Sequence, residues 1–177
     1  SAGINRLSIG IQSFDHTSLK KLGRIHDGQQ SLSAISTALN AGFENINLDL
    51  MFGLPDQSFQ QAIDDIKIAC DQGVQHISHY QLTIEPNTYF YKHPPQTPKS
   101  ELLWDMQQQC HDTLSKNNFN QYEVSAFSQQ NRQCRHNVNY WDFGDYIGIG
   151  AGAHGKLTLN NKIMRRWKRR QPEDYMA

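Results

Sequence analysis

The sequence is poor in cysteine, and the few cysteines it has are far apart. Cys70, Cys110 and Cys134 are odd in number and widely separated, which argues against a disulfide framework and fits a reducing compartment. Their separation also matches no local metal-binding pattern of paired cysteines. We therefore expect each of the three to be a packed or surface thiol.

Long apolar runs and an excess of charge are also absent. Crossing a bilayer takes about 20 consecutive apolar residues, and the apolar stretches here are short and strand-like. The opening stretch SAGINRLSIGIQSF has no apolar core behind a basic end, so it does not resemble a signal peptide. With 17 basic and 17 acidic residues, the overall charge indicates no nucleic acid as a partner. We expect a cytoplasmic protein, about one domain long, with no stable membrane insertion.

Three strand-then-helix units follow one another in the first part of the chain. Apolar residues alternate with period 2 in three segments, and helical spacing follows each of them. Ser58 and Gln61 have the spacing of a capping box at the start of the second helix. The alternation predicts parallel β/α packing with right-handed crossovers. The expected helices cover 31–41, 59–70 and 97–114, and the expected neighbouring strands are Asn5–Gln12, Asn45–Met51 and Ile77–Leu82.

Polar residues near the carboxyl ends of these strands are candidates for a binding site, because ligands of parallel β/α folds lie there. They are Gln12, Asp49 and the stretch Tyr80–Glu85. Gln12 has an equally good structural explanation, as a strand-end amide bonded to backbone. The position of Asp49 indicates a functional role more strongly. Burying a carboxylate between two leucines costs free energy unless it is paired or binds a ligand. Arg24, taken alone, is a solvated loop cation.

The pattern changes after Phe119, and we divide the chain into residues 1–119 and 120–177. The second part is expected to contain a short strand over Tyr122–Phe127, a loop with the sequence HNVNYW, and a solvated basic arm over Lys162–Arg170. Between the loop and the arm, GIGAGAHG permits very close approach of backbone to a ligand or to another chain segment. It lacks the third glycine and the βαβ unit of a dinucleotide-binding loop.

The HNVNYW segment combines an imidazole, two amides and two large aromatic rings at residues 136–141. In one interpretation the aromatics cap the barrel and the amides satisfy the backbone of a turn. In the other the segment binds a ligand, because imidazole coordinates haem iron and flat aromatics flank a macrocycle. The spacing alone leaves both interpretations open.

Six sequence segments follow one another along the chain in this order: GINRLSIGIQSF, LGRIHD, INLDLMFGLPDQS, HISHYQLTIEPNT, QYEVSAF and GDYIGIGAGAHGK. Together with CRHNVNYW they resemble the radical S-adenosylmethionine (SAM) proteins of the oxygen-independent coproporphyrinogen III oxidase-like family. The resemblance covers nearly the whole chain. It implies an α/β fold, the second half of a parallel (β/α) barrel of radical-SAM type over 1–119, with a short C-terminal extension over 120–177.

The resemblance also implies cofactors and the residues that hold them. Members of the family bind a 4Fe–4S cluster and SAM. Their SAM-contacting Gln, Arg and Asp fall on Gln12, Arg24 and Asp49, and backbone contacts fall near Thr83 and His154. Of these, Gln12 and Asp49 were already candidates from their positions in the strands.

The HNxxYW pattern resembles that of the family's haem-chaperone branch, in which the histidine is implicated in haem binding. It falls here on His136, Asn137, Tyr140 and Trp141. True coproporphyrinogen oxidases of the superfamily lack the pattern, so the resemblance implies a chaperone that delivers haem to acceptor proteins. The alternative is coproporphyrinogen III dehydrogenase, which performs anaerobic oxidative decarboxylation in porphyrin biosynthesis. A barrel for a phosphorylated metabolite would need a phosphate loop, and the sequence contains none.

The sequence departs from the family pattern at its cluster motif. The family's CxxxCxxC, its GGGTP stretch and the following Glu are absent from the sequence, and the family places all three upstream of the block that begins here at Gly3. We therefore expect the chain to be an internal piece of a longer protein, without a cluster of its own. Without a cluster, SAM has no iron to chelate and no source of an electron for its cleavage.

Overall fold

The computed structural model describes residues 3–177, which form two compact units divided between Gln133 and Cys134. In the part of the chain that the structure describes, no helix has both the length and the apolar character needed to cross a membrane. The two units are described separately below.

The first unit contains a five-stranded sheet in the order β1-β2-β3-β5-β4. Its first three strands are parallel neighbours, and β1 has a register irregularity between Gly10 and Gln12. This arrangement confirms the parallel β/α packing predicted from the alternating pattern. The strands are β1 (Leu7–Gln12), β2 (Ile46–Phe52) and β3 (His76–Gln81).

Among the described residues of this unit, two helices follow β1, one follows β2 and two follow β3. Those that the sequence predicts are present, although the third begins at Ser100 instead of residue 97, and the Ser58–Gln61 capping box is formed. A second capping box, between Asp27 and Gln30, moves the start of α2 three residues ahead of its expected position at Ser31. The helices are α1 (His16–Lys21), α2 (Gly28–Asn40), α3 (Phe59–Cys70), α4 (Tyr89–Lys92) and α5 (Ser100–Lys116).

The sheet continues beyond Phe119 with β4 (Asn120–Gln121) and β5 (Ala126–Ser128). Both pairings are antiparallel, β3 with β5 and β5 with β4. The predicted strand over Tyr122–Phe127 is therefore wrong in its first residues, which form a turn. Ser125 donates to the Glu123 carboxylate through its side chain at 2.9 Å and also through its amide, and these bonds stabilise the turn.

The apolar core lies on one face of this sheet. Alternate residues of the strands, such as Ile11, Leu48 and Ile77, are buried there under the helices. The helices bury apolar side chains such as Ile35 and Ile66 against that face. The opposite face is polar, and it carries the candidate site.

The second unit contains α6 (Arg135–Trp141), a hairpin of β6 (His154–Leu159) and β7 (Lys162–Trp167), and α7 (Pro172–Met176). Two sequence-based expectations are wrong here. HNVNYW is helical instead of a loop, because its rings recur at i, i+4 and its backbone closes helical bonds such as Val138 N–H to Cys134 C=O. The basic stretch Lys162–Arg170 is exposed, as expected, but Lys162–Trp167 forms a strand paired with β6 instead of a free arm.

Candidate cofactor-binding sites

The polar face of the first sheet is formed by the alternate residues of β1, β2 and β3 that point away from the helices. A hydrogen-bond network centred on Asn47 occupies its middle. The Asn47 amide donates to Ser8 Oγ at 2.6 Å and to Asp49 Oδ1 at 2.8 Å. Ser8 Oγ in turn donates to Asp49 Oδ2 at 2.9 Å. These hydrogen bonds offset the free-energy cost of burying the Asp49 carboxylate in this strand. Each Asp49 oxygen accepts one bond and retains a free lone pair.

His76 and Ser78 extend the network along β3. Asn47 Oδ1 accepts from Ser78 Oγ at 3.1 Å and contacts His76 Nδ1 at 2.5 Å. The other ring nitrogen of His76 lies 2.7 Å from Tyr122 Oη. Burial lowers the pKa of His76 to about 4, an effect that Arg6 reinforces and Asp49 opposes. His76 is therefore a neutral member of the network near pH 7.

Gln12 ends β1 in a strained conformation. Its φ is 67°, and the Ser13 amide donates to Ile11 C=O at 2.9 Å across it, which closes a γ-turn of the rare positive-φ kind. The Gln12 side chain is buried and folds back over Gly10, where an added Cβ would lie 2.8 Å from its Nε2. The glycine therefore makes room for the amide.

Tyr80 connects the predicted residues on this face. Its hydroxyl donates to Gln12 Oε1 at 3.2 Å. Burial raises the pKa of Tyr80, the Asp49 carboxylate raises it further, and Arg24 lowers it. Gln12, Asp49 and Arg24 therefore all act on one phenol. The sequence placed Tyr80 in a candidate stretch but gave it no role, although its alternation in β3 puts it on the face of Gln12 and Asp49.

Arg24 and Thr83 lie on the loops beyond the strand ends. The Arg24 amide donates to Leu19 C=O at 3.0 Å, and its side chain is exposed. Thr83 lines a cavity of about 580 Å³ together with Gly23, the neighbour of Arg24. The remaining lining residues include two cations and two aromatic rings, Lys20, Lys21, Tyr89 and Phe90.

In the second unit, α6 arranges the HNxxYW residues along a helix. His136 and Tyr140 are one turn apart, and their rings meet edge to face at 4.8 Å between centroids. Tyr140 also contacts Tyr146, with centroids 4.6 Å apart. His136, Tyr140 and Trp141 are exposed, and Asn137 is half-buried. An imidazole and aromatic rings are therefore presented together on one short helix.

The buried cation Lys156 binds the segment that follows α6. We call Lys156 and the residues it contacts, Phe143, Asp145 and Thr158, the Lys156 cluster. Lys156 is only 3% exposed. Its Nζ donates to Phe143 C=O at 2.7 Å and to Asp145 Oδ1 at 2.9 Å, and it lies 4.2 Å from the Phe143 ring centroid. Bonds from Lys156 and Thr158 lower the pKa of Asp145 to about 2. The cluster joins the residues after α6 to the hairpin, and the sequence gave no indication of it.

His154 begins β6 in this unit and is exposed. An added Cβ at Gly148 would overlap the backbone of His154. In this structure Gly148 of the glycine-rich run therefore packs closely against the backbone at His154.

Comparison with known proteins finds clear relatives. The sequence model of the Radical SAM superfamily matches residues 1–68. The chain is 50% identical over 176 residues to "Heme chaperone HemW" of Escherichia coli, covering 99% of this chain and 47% of that protein. It is 49% identical over 177 residues to "Heme chaperone HemW" of Haemophilus influenzae, covering 99% and 46%. Along almost its whole length the chain is therefore similar to HemW proteins, and its first part matches the radical SAM superfamily.

A solved structure supports the same fold. Coproporphyrinogen III oxidase from Escherichia coli, described as a radical SAM enzyme, matches with a TM-score of 0.77 over 97% of this chain and 42% of that chain. The two sequences are 18% identical, so the similarity shows the radical-SAM fold alone. The chain spans about half the length of the curated relatives that it matches.

The family implies SAM and a 4Fe–4S cluster, and the residues present fit only the first. Gln12, Asp49 and Tyr80 offer neutral and anionic partners on one face, and Arg24 offers a cation, which matches the ammonium, hydroxyl and carboxylate groups of SAM. For the cluster, no three metal-ligating residues come together within residues 3–177. Burial raises the pKa of Cys70 to about 11 and that of Cys110 to about 12, so both are neutral thiols in this structure.

Proposed function

We propose that the intact protein is a SAM-binding haem chaperone that delivers haem to acceptor proteins. The observation that carries the proposal is the exposed His136–Tyr140 pair on α6, within a chain half identical to proteins named haem chaperones. An exposed imidazole beside an aromatic ring suits a group that must be bound and then released, because a buried ligand would be slow to leave.

For SAM, we assign the roles by chemistry. Arg24 pairs with the SAM carboxylate, as guanidinium geometry favours. Asp49 accepts from the ribose hydroxyls or the ammonium through its free lone pairs, and Gln12 supplies a neutral partner. Backbone near Thr83 and near His154 completes the set that the family implies. When bound, the family's 4Fe–4S cluster supplies the electron for SAM chemistry, and the described residues of this chain do not provide its ligands.

For haem, His136 is the contact to iron, since neutral imidazole is a common axial ligand. Tyr140 and Trp141 offer apolar ring faces to the macrocycle, and Asn137 a hydrogen-bonding partner at its edge. The cytoplasm is the location we propose, because the odd number and wide separation of the three cysteines fit a reducing compartment. Coproporphyrinogen oxidation is the alternative function, and it is supported only by the similarity of fold to coproporphyrinogen III oxidase.

A haem titration tests the proposal. Wild type and His136→Ala are titrated with haem in the intact protein and followed by Soret absorbance, with His16→Ala as the control because it removes another exposed histidine. We expect His136→Ala alone to weaken binding and shift the Soret band, while SAM affinity stays unchanged. Identical spectra and affinities for the three proteins would contradict the role of His136. SAM-dependent turnover of coproporphyrinogen III would favour the oxidase.

A further inference from the structure

Asp65, on α3, is a buried carboxylate that the roles above leave unused. It is 4% exposed and falls on the apolar face of its helix, between Ala62 and Ile66. It reaches the segment that follows β1. Ser13 Oγ donates to Asp65 Oδ2 at 2.7 Å, and the Phe14 amide donates to Oδ1 at 2.7 Å.

The segment that Asp65 holds is the strained turn at Gln12. A residue with a φ of 67° inside a γ-turn persists only where its surroundings fix it. The bonds continue into the next element, because Ser13 Oγ accepts from the Asp15 amide at 3.0 Å and Asp15 caps α1 through the Ser18 amide at 2.7 Å. Asp65 thus constrains both the residue that contacts Tyr80 and the helix that leads to Arg24.

Stability alone does not explain a carboxylate at this position. Burial raises the pKa of Asp65 to about 7, against two hydrogen bonds that lower it, and the nearby Asp15 and Asp64 carboxylates raise it further. The facing group on α5 is Cys110, a neutral thiol that offers no compensating charge. The ionised side chain is therefore unfavourable for folding, and it gains two charge-assisted bonds to the turn.

We propose that Asp65 is a positioning residue for the SAM site, which holds the turn that directs the Gln12 amide towards Tyr80. The inference rests on the proposed SAM binding at Gln12, Arg24 and Asp49. It goes beyond that assignment because Asp65 touches none of the three. In its ionised form Asp65 accepts from both Ser13 and Phe14, whereas the protonated acid has only one oxygen that accepts freely.

The test compares Asp65→Asn with Asp64→Asn in the intact, cluster-loaded protein. The amide introduced by Asp65→Asn retains one acceptor and resembles the protonated acid, while Asp64 is a half-exposed neighbour that bonds Gln60 instead of the turn. Calorimetric titration with SAM should show affinity reduced about tenfold by Asp65→Asn at pH 8, the lower end of the range for a charge-assisted bond. At pH 6, where Asp65 of the wild type is protonated, the difference should fall below about twofold.

Amide hydrogen exchange without SAM provides a second readout. Exchange at Phe14 should accelerate in Asp65→Asn and not in Asp64→Asn. Ser13→Ala removes one of the two donors and should have a smaller effect in the same direction, which keeps the test valid if Asp65→Asn fails to fold. Equal SAM affinities for Asp65→Asn and Asp64→Asn at both pH values would overturn the inference. Asp49→Ala separates the causes: if it too leaves SAM affinity unchanged, the proposed SAM site itself is wrong.

Discussion

In the first unit, Gln12 and Asp49 lie on a sheet whose other face is a buried apolar core, whereas in the second unit His136 and Tyr140 lie on an exposed helix followed by a two-stranded hairpin. In the first set, Asp49 is held by hydrogen bonds from Asn47 and Ser8, and Gln12 by a bond from Tyr80. The second depends on the few contacts of the Lys156 cluster. A rigid face suits a cofactor that stays bound, and an exposed helix suits a ligand that is handed on.

The largest effect should come from the core of the first unit. Leu48 is completely buried, so Leu48→Ala should lower the free energy of unfolding by about 2–5 kcal/mol through lost burial and a residual cavity. Ile163→Ala on the exposed hairpin should change it by less than about 0.5 kcal/mol. Chemical denaturation of both variants measures the difference. Similar losses for the two would mean that the hairpin, too, has a packed core.

A pH effect of nearly the same size should come from Asp65. Its pKa is about 7 in the folded chain against 3.8 without perturbation. Folding therefore favours the protonated acid, and the stability that this contributes is complete below about pH 4 and lost as pH rises to about 7, by about 4 kcal/mol at most. Unfolding measured from pH 4 to 8 should show this slope in wild type and not in Asp65→Asn. Parallel curves would show that Asp65 does not titrate in this range.

A smaller effect is expected from the Lys156 cluster. Lys156→Met removes the bonds to Phe143 and Asp145, and should lower stability by about 1–3 kcal/mol and weaken haem binding. Lys168→Met is the control, because it removes an exposed cation that directly follows the hairpin. Amide hydrogen exchange in β6 and β7 and a haem titration are measured for both variants. If the two variants behave alike, the cluster does not support α6.

The sequence predicted the three parallel strands and the three longest helices well, because period-2 and helical spacing are determined locally. Gln12 bonds Tyr80, and the charges of Asp49 and Arg24 act on the same phenol, although Tyr80 itself had no assigned role. The helical nature of HNVNYW was missed, and the i, i+4 spacing of His136 and Tyr140 was the signal that indicated it.

Other features depend on contacts between distant segments. Asp65 lies 52 residues from Ser13 along the chain, and nothing local pairs them. Its position on the apolar stripe of α3 was a visible anomaly that indicated a buried partner. Lys156 and Asp145 meet only when the hairpin forms, so their ion pair could not be predicted from spacing.

The central claim is that Asp49 of the first unit binds SAM and His136 of the second binds haem, independently of each other. Parallel titrations of the intact protein with both ligands, using Asp49→Ala and His136→Ala, test it most directly. We expect Asp49→Ala to weaken SAM binding by about 1.5–3 kcal/mol without changing the Soret spectrum of bound haem. We expect His136→Ala to change haem binding and leave SAM affinity intact. The account would be contradicted if either variant lost the binding of both ligands. It would also be contradicted if both variants bound SAM and haem as the wild type does.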